Sequence, residues 1–176
     1  GSILFYLAEK FGAFLPAEQP ARTEVMNWVM WQMGAAPFVG GGFGHFYAYA
    51  PIKIEYAINR YTMETKRQLH LLDSLLADRP FIAGDAYTIA DIAIWPWYSA
   101  VVTGAAYDAG RFLAVDDYPH LQRWVKEVGE RPAVKRGAMV NRPFGPPESR
   151  LRERHSAGDF ETNRDDMVEA RGGERV

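Results

Sequence analysis

The chain has 176 residues, 48% of them apolar and 24% charged, with 20 Lys+Arg against 22 Asp+Glu for a net charge of −2. A chain of this length closes a core that buries roughly 70% of its unfolded surface without disulfides or metal, and its balanced charge offers no basic field for nucleic acid. It contains no cysteine, which excludes disulfide scaffolds, Cys-ligated zinc and a Cys nucleophile on this chain and agrees with a reducing compartment, while no apolar run reaches the roughly 18 residues of a membrane span.

Gly1-Ser2 leads straight into Ile3, Leu4, Leu7 and Phe11, which fall at helical spacing, and Gly12 is placed as a left-handed C-cap. A helix that begins with no approach loop predicts a chain cut inside a larger protein. Pro20 opens a second helix through Met33, where Val25, Met26, Trp28, Val29, Met30, Trp31 and Met33 cover nearly every face and predict a central helix. Gly34 to Pro51 holds clustered glycines and two further prolines among aromatic residues, and the broken periodicity predicts a long aromatic loop.

From Ile52 to Ala77 the apolar positions Ile54, Ile58, Tyr61, Leu69, Leu72 and Leu76 return at helical steps between charged residues, predicting one long amphipathic helix that ends before Pro80. Thr88 and Asp91 form a capping-box pattern in front of a nearly all-apolar helix from Ile89 to Val102, with Tyr87 and Ile92 placed as a staple. A buried helix cannot leave its first N–H groups to water, so the predicted role of Thr88 and Asp91 is structural. Pro119 opens a helix to Val128, and Pro132 opens a short one that stops at Gly137. After Asn141 the chain changes character: 15 of the last 36 residues are charged and apolar side chains are sparse. Such a segment forms no core of its own and predicts an extended tail, with Phe144, Leu151 and Phe160 available to lie along the body. The expected fold class is all-α, a bundle of five or six packed helices.

Candidate chemistry is sparse. The four histidines His45, His70, His120 and His155 show no metal-ligand spacing, so no metal is expected. The Gly40–Gly44 run follows a helix and precedes no Gly-Lys-Ser/Thr, which argues against a phosphate loop. His45, Phe46, Tyr47 and Tyr49 beside the glycines either line a wall for a small organic ligand or cap the core. Arg60 lies between Tyr56 and Tyr61 in sequence and one turn before Glu64. It is either a solvated or Glu64-paired side chain, or a guanidinium stacked between rings that grips a carboxylate.

The helical order, Thr88-Ile89-Ala90-Asp91 and Glu130-Arg131-Pro132-Ala133 resemble the C-terminal domain of glutathione S-transferases. Ser2 to Gly12, Gly40 to Tyr47, Tyr56 to Arg60, Ile94-Trp95-Pro96-Trp97 and the region from His155 through Asp159 to Asn163 are similar to the bacterial nu-class members, the glutathione-dependent disulfide-bond oxidoreductases. The resemblance implies that residues 1–12 are the last helix of a thioredoxin-like domain missing from this chain, 13–140 the helical domain and 141–176 the tail. It also implies that the thiol-activating residues lie upstream, with the glutathione-binding Glu-Ser pair immediately before Gly1, so that Ser2 is not the binding serine. Arg60 matches a family glutathione contact, whereas Gln32 and Met33 stand near the position of a glutamine contact in some relatives. Met33, His45, Tyr47 and Tyr49 become candidates for the second-substrate wall. The implied parent is a cytoplasmic homodimer that uses glutathione as cosubstrate toward a small disulfide or electrophile, with no nucleic-acid or membrane partner. The competing reading is a non-catalytic interaction module built on the same helical domain.

Overall fold

The structure is a computed structural model that describes residues 1–140; the predicted tail from 141 onward, with His155, Phe160 and the other residues of that stretch, lies outside the described residues. The described residues are helical throughout and contain no strand beyond an isolated bridge between Phe81 and Gly84. In chain order they form α1 (Ser2–Phe11), α2 (Gln19–Pro37), a π-helix (Phe38–Tyr49), α3 (Glu55–Leu76), α4 (Ile89–Val102), a short α5 (Gly110–Leu113), a 3-10 turn (Val115–Asp117), α6 (Pro119–Gly129) and α7 (Pro132–Gly137). Residues 1–128 make one compact unit, and α7 belongs to a second that begins at Gly129.

Gly12 ends α1 in the left-handed conformation (φ 61°, ψ 35°), its N–H bonded back to the carbonyls of Ala8 and Glu9. Such a backbone suits a residue without Cβ. Arg22 ties α1 to α2 through Glu9 at 2.5 Å, and its guanidinium also lies over the Phe5 ring. The connection then serves α4, because the carbonyl of Phe14 accepts the N–H of Ile89 at 2.9 Å.

α4 is the middle of the larger unit. Ile89, Ala90, Ala93, Ile94, Tyr98 and Val101 are buried, and the helix packs against α2. It is fastened to α3 by the Tyr98 hydroxyl, which donates to Gln68 at 2.8 Å, and to α6 by Trp95 Nε1, which donates to the Val125 carbonyl at 2.9 Å. At its start Thr88 Oγ1 accepts the Ala90 N–H at 3.2 Å while Asp91 Oδ2 accepts the Thr88 N–H at 2.9 Å, closing the predicted capping box. Thr88→Ala is expected to lower stability by about 0.5–2 kcal/mol as a lost N-cap, to be read as a shift of the urea midpoint.

Side chains from distant segments complete the other helix ends. Asp73 on α3 accepts the N–H groups of His120 and Leu121 at 2.8 and 2.9 Å and so caps α6. In return, the Arg123 guanidinium on α6 collects the carbonyls of Leu76, Arg79 and Pro80 where α3 stops. Each end would otherwise leave orphaned polar groups beside the core.

Two expectations are corrected. The stretch from Gly34 to Pro51 is not a loop: α2 runs on to Pro37 and the π-helix follows, its i→i+5 pattern visible in the Ala50 N–H bonded to the His45 carbonyl at 2.7 Å. Pro37 has no N–H for the carbonyl four residues back, and the wider turn begins directly after it. Gly42 and Gly44 are not breakers but contact points. A Cβ on Gly42 would stand 2.4 Å from the Tyr61 ring, and one on Gly44 2.2 Å from the Tyr107 ring. Helix α2, in turn, is not buried on every face, for Met30 and Met33 are 66% and 44% exposed. Its inward stripe consists of Val25, Val29, Gln32, Ala35 and Ala36.

Candidate functional site

The π-helix presents its rings in two groups. Phe43 is fully buried, stacks on Tyr47 at 4.9 Å and on Phe112 at 6.3 Å, and meets Tyr107 edge-on. Tyr47 also lies against Phe112 at 4.8 Å, Lys53 Nζ donates to the Tyr47 carbonyl, and the mostly exposed Tyr49 touches Tyr107 edge-on at 5.8 Å. On the other side His45 stands edge-on to Phe46, which stacks flat on Tyr61 at 5.5 Å and 10°. Tyr47 and Tyr49 therefore share one cluster, and His45 belongs to the second. The alternative left open by the sequence divides by residue: Phe43 is core, Tyr47 is half-buried, and His45 and Tyr49 face outward.

Tyr61, Tyr107 and Phe112 complete these two ring clusters, which local sequence does not reveal. Tyr107 and Asp108 both take positive φ, 67° and 46°, a conformation non-glycine residues adopt at a cost. In that turn the Tyr107 ring sits in the notch left by Gly44, and burial pushes its hydroxyl above the ordinary tyrosine range. No window of sequence around residue 107 announces this contact, because its partner lies more than sixty positions earlier.

Arg60 is exposed on α3, without a hydrogen-bond or ion-pair partner among the described residues. It is not held between the two tyrosines, since Tyr56 is 79% exposed and Tyr61 is engaged with Phe46. Nor is it the partner of Glu64. That carboxylate takes two bonds from Arg67, which hold it below the ordinary carboxylate range, and Arg60 adds only a weaker attraction. Both arginines are within helical reach of Glu64, and the order with the acid N-terminal to the base favours Arg67. What remains is an unpaired guanidinium on a rigid helix, able to pair with a carboxylate.

Met33 is placed apart from the rings: its sulfur would lie 3.3 Å from a Cβ on Gly1, so it adjoins the start of α1. Gln32 points inward, buried, with its Oε1 unpaired among the described residues, so of the two only Met33 faces outward. Asp91 has no catalytic freedom. Beyond Thr88 it accepts the Ile82 N–H at 3.0 Å and Trp124 Nε1 at 2.8 Å. Burial pushes its carboxyl above the ordinary range, and these donors pull part of the way back. Among the described residues no three His, Asp or Glu side chains group to hold a metal ion, and no helix is long and apolar enough to cross a membrane.

Residues 55–127, from the start of α3 into α6, match the family model for the glutathione S-transferase C-terminal domain. The chain is 66% identical over 166 residues to the disulfide-bond oxidoreductase YghU of Escherichia coli, covering 94% of this chain and 58% of that protein. It is 42% identical to the disulfide-bond oxidoreductase YfcG of the same organism, covering 76% of this chain and 59% of that one. Among solved structures it resembles glutathione transferase YghU of Streptococcus pneumoniae complexed with glutathione, at 61% identity and a TM-score of 0.75, covering 77% of this chain and 52% of that chain. The chain thus spans little more than half the length of these relatives. With the all-helical architecture, the capped central α4 and the match over α3 to α6, the chain carries a glutathione S-transferase C-terminal domain.

Proposed function

We propose that the chain is the helical part of a glutathione-dependent disulfide-bond oxidoreductase, in which residues 1–12 form the last helix of a thioredoxin-like domain and residues 13–140 the helical domain. The observation that carries this reading is the 66% identity with a disulfide-bond oxidoreductase across nearly the whole chain. As the family resemblance implies, the working protein is taken to be a cytoplasmic homodimer.

A chain without cysteine takes part in thiol–disulfide exchange by holding the thiol of glutathione. In the first step the glutathione thiolate attacks one sulfur of a small disulfide, forming a mixed disulfide and releasing the other half as thiolate. A second glutathione thiolate then attacks the glutathione sulfur of that mixed disulfide, yielding glutathione disulfide and the second thiolate. The activating donors belong to the upstream half. The helical domain supplies Arg60 for a glutathione carboxylate, and Tyr47, Tyr49, His45 and Met33 to shape the space for the second substrate.

The reading is tested by turnover of 2-hydroxyethyl disulfide with glutathione, measured on the natural protein that contains this chain. A rate no greater than the uncatalysed reaction defeats it. Within that enzyme Arg60→Ala is expected to remove a charge-assisted pair of about 1.5–3 kcal/mol, or roughly ten- to a hundred-fold in glutathione affinity. Arg60→Lys should recover only part, because an ammonium lacks the planar fork. If Arg60→Ala leaves both affinity and turnover unchanged, the residue is a solvated surface side chain.

A further inference from the structure

The turn between α4 and α5 holds a bulky ring in an uncommon backbone conformation. Gly104, Tyr107 and Asp108 all adopt positive φ, at 74°, 67° and 46°. Glycine does so freely, whereas two adjacent non-glycine residues keep this conformation only where the surroundings fix it. Here the surroundings are the π-helix. The Cζ, Cε1 and hydroxyl oxygen of Tyr107 fill the place where a Cβ on Gly44 would stand, and a Cβ on Gly40, four residues earlier, would lie 4.0 Å from the same oxygen. The outer end of the ring therefore runs along the π-helix backbone, and its edge meets the buried Phe43 at 6.1 Å and 80°.

Tyr49 is the last residue of the π-helix, and no further turn follows to support its side chain. Its backbone is pinned on both sides: the Ala50 N–H donates to the His45 carbonyl at 2.7 Å, and Lys53 Nζ donates to the Tyr47 carbonyl. The Tyr49 ring itself is 71% exposed, and the ring it touches among the described residues is Tyr107, edge-on at 5.8 Å and 76°. The two phenols are near enough that Tyr49, after burial, helps to push the Tyr107 hydroxyl above the ordinary tyrosine range. A ring already held by an edge contact loses less freedom when a ligand packs on its open face. The strained turn thus delivers one side chain whose outer end locks against the π-helix and whose edge steadies the exposed ring at the end of that helix.

We propose, resting on the oxidoreductase reading, that Tyr107 is a positioning residue for the second substrate: it fixes the ring of Tyr49, and Tyr49 packs on the disulfide. The test is steady-state kinetics on the natural protein that contains this chain, with 2-hydroxyethyl disulfide and glutathione varied in turn. Tyr107→Ala is expected to raise the KM for the disulfide about three- to tenfold, the range of an aromatic edge contact, and to leave the KM for glutathione unchanged. Tyr107→Phe should restore the parental value, because the ring edge and not the hydroxyl makes the contact. Tyr49→Ala should raise the disulfide KM at least as far. The double variant Tyr49→Ala/Tyr107→Ala should then be no worse than Tyr49→Ala, since Tyr107 acts through a ring already removed. Gly44→Ala, which keeps Tyr107 but displaces the outer end of its ring, should reproduce the effect in the parent and not in the Tyr49→Ala background, so the comparison stands even if Tyr107→Ala does not fold. A lowered unfolding midpoint with both KM values unchanged, a parallel rise of both, or effects that add in the double variant overturns the proposal. A parent protein without disulfide turnover defeats the oxidoreductase reading and this inference together, whereas normal parental turnover with an unmoved disulfide KM in the variants defeats the inference alone.

Discussion

Replacing Asp91 by alanine is expected to cost about 3–5 kcal/mol, well beyond the loss of a helix cap alone. The carboxylate is fully buried and accepts from three different places: the Thr88 N–H at the start of α4, the Ile82 N–H in the preceding turn and the indole N–H of Trp124 on α6. Alanine leaves all three donors without a partner in a dry site, and each orphaned donor costs about 1–3 kcal/mol. Trp124 is itself fully buried, so it cannot turn its N–H to water. Asp91→Asn should fall between the two, since one oxygen remains as acceptor while the amide NH2 confronts the donors on the other side. Urea unfolding followed by tryptophan fluorescence reads the effect. A midpoint shift for Asp91→Ala no larger than that for Thr88→Ala would mean that the bonds to Ile82 and Trp124 contribute nothing beyond the cap.

Gly42→Ala should destabilise by about 1–3 kcal/mol, although alanine is intrinsically the better helix former by about 1 kcal/mol. The added methyl would stand 2.4, 2.6 and 3.0 Å from Cδ1, Cε1 and Cγ of Tyr61. The last of these is the root of the ring, which is also held by stacking on Phe46, so the ring cannot swing clear and the π-helix must lift from α3. Gly44→Ala meets the outer end of the Tyr107 ring at 2.2 Å. That end is freer to move, so a smaller loss is expected. Gly34→Ala, with open space around the new Cβ, is the control and should be neutral or stabilising. Thermal unfolding of the three variants orders them as Gly42→Ala below Gly44→Ala below Gly34→Ala. If Gly42→Ala is as stable as the control, the close approach does not hold the π-helix in place.

Much of the helical frame was legible in the order of residues. The left-handed end at Gly12, the capping box of Thr88 and Asp91, the proline starts at Pro119 and Pro132 and the stop at Gly137 all appear where local signals put them. Such signals act within about one turn: a cap bonds two or three residues ahead, a proline constrains its neighbour, and an amphipathic stripe repeats every three or four positions. The lack of cysteine likewise restricted the chemistry before any fold was known.

The π-helix, the second duty of Asp91 and the partner of Glu64 were decided only when distant segments met. A glycine that admits a ring from residue 61 or 107 looks, within its own window, the same as a glycine that breaks a helix. Read locally, Asp91 is a capping carboxylate, and only the arrival of Trp124, 33 positions later, makes it the bond between α4 and α6. Glu64 has arginines at residues 60 and 67, both within reach along one helix. Gln68, held in turn by Tyr98, accompanies the choice of Arg67 by fixing the carboxylate from the core side. Local sequence limits each backbone segment to a few conformations, but which polar group finds a partner depends on burial, and burial exists only once the helices have packed.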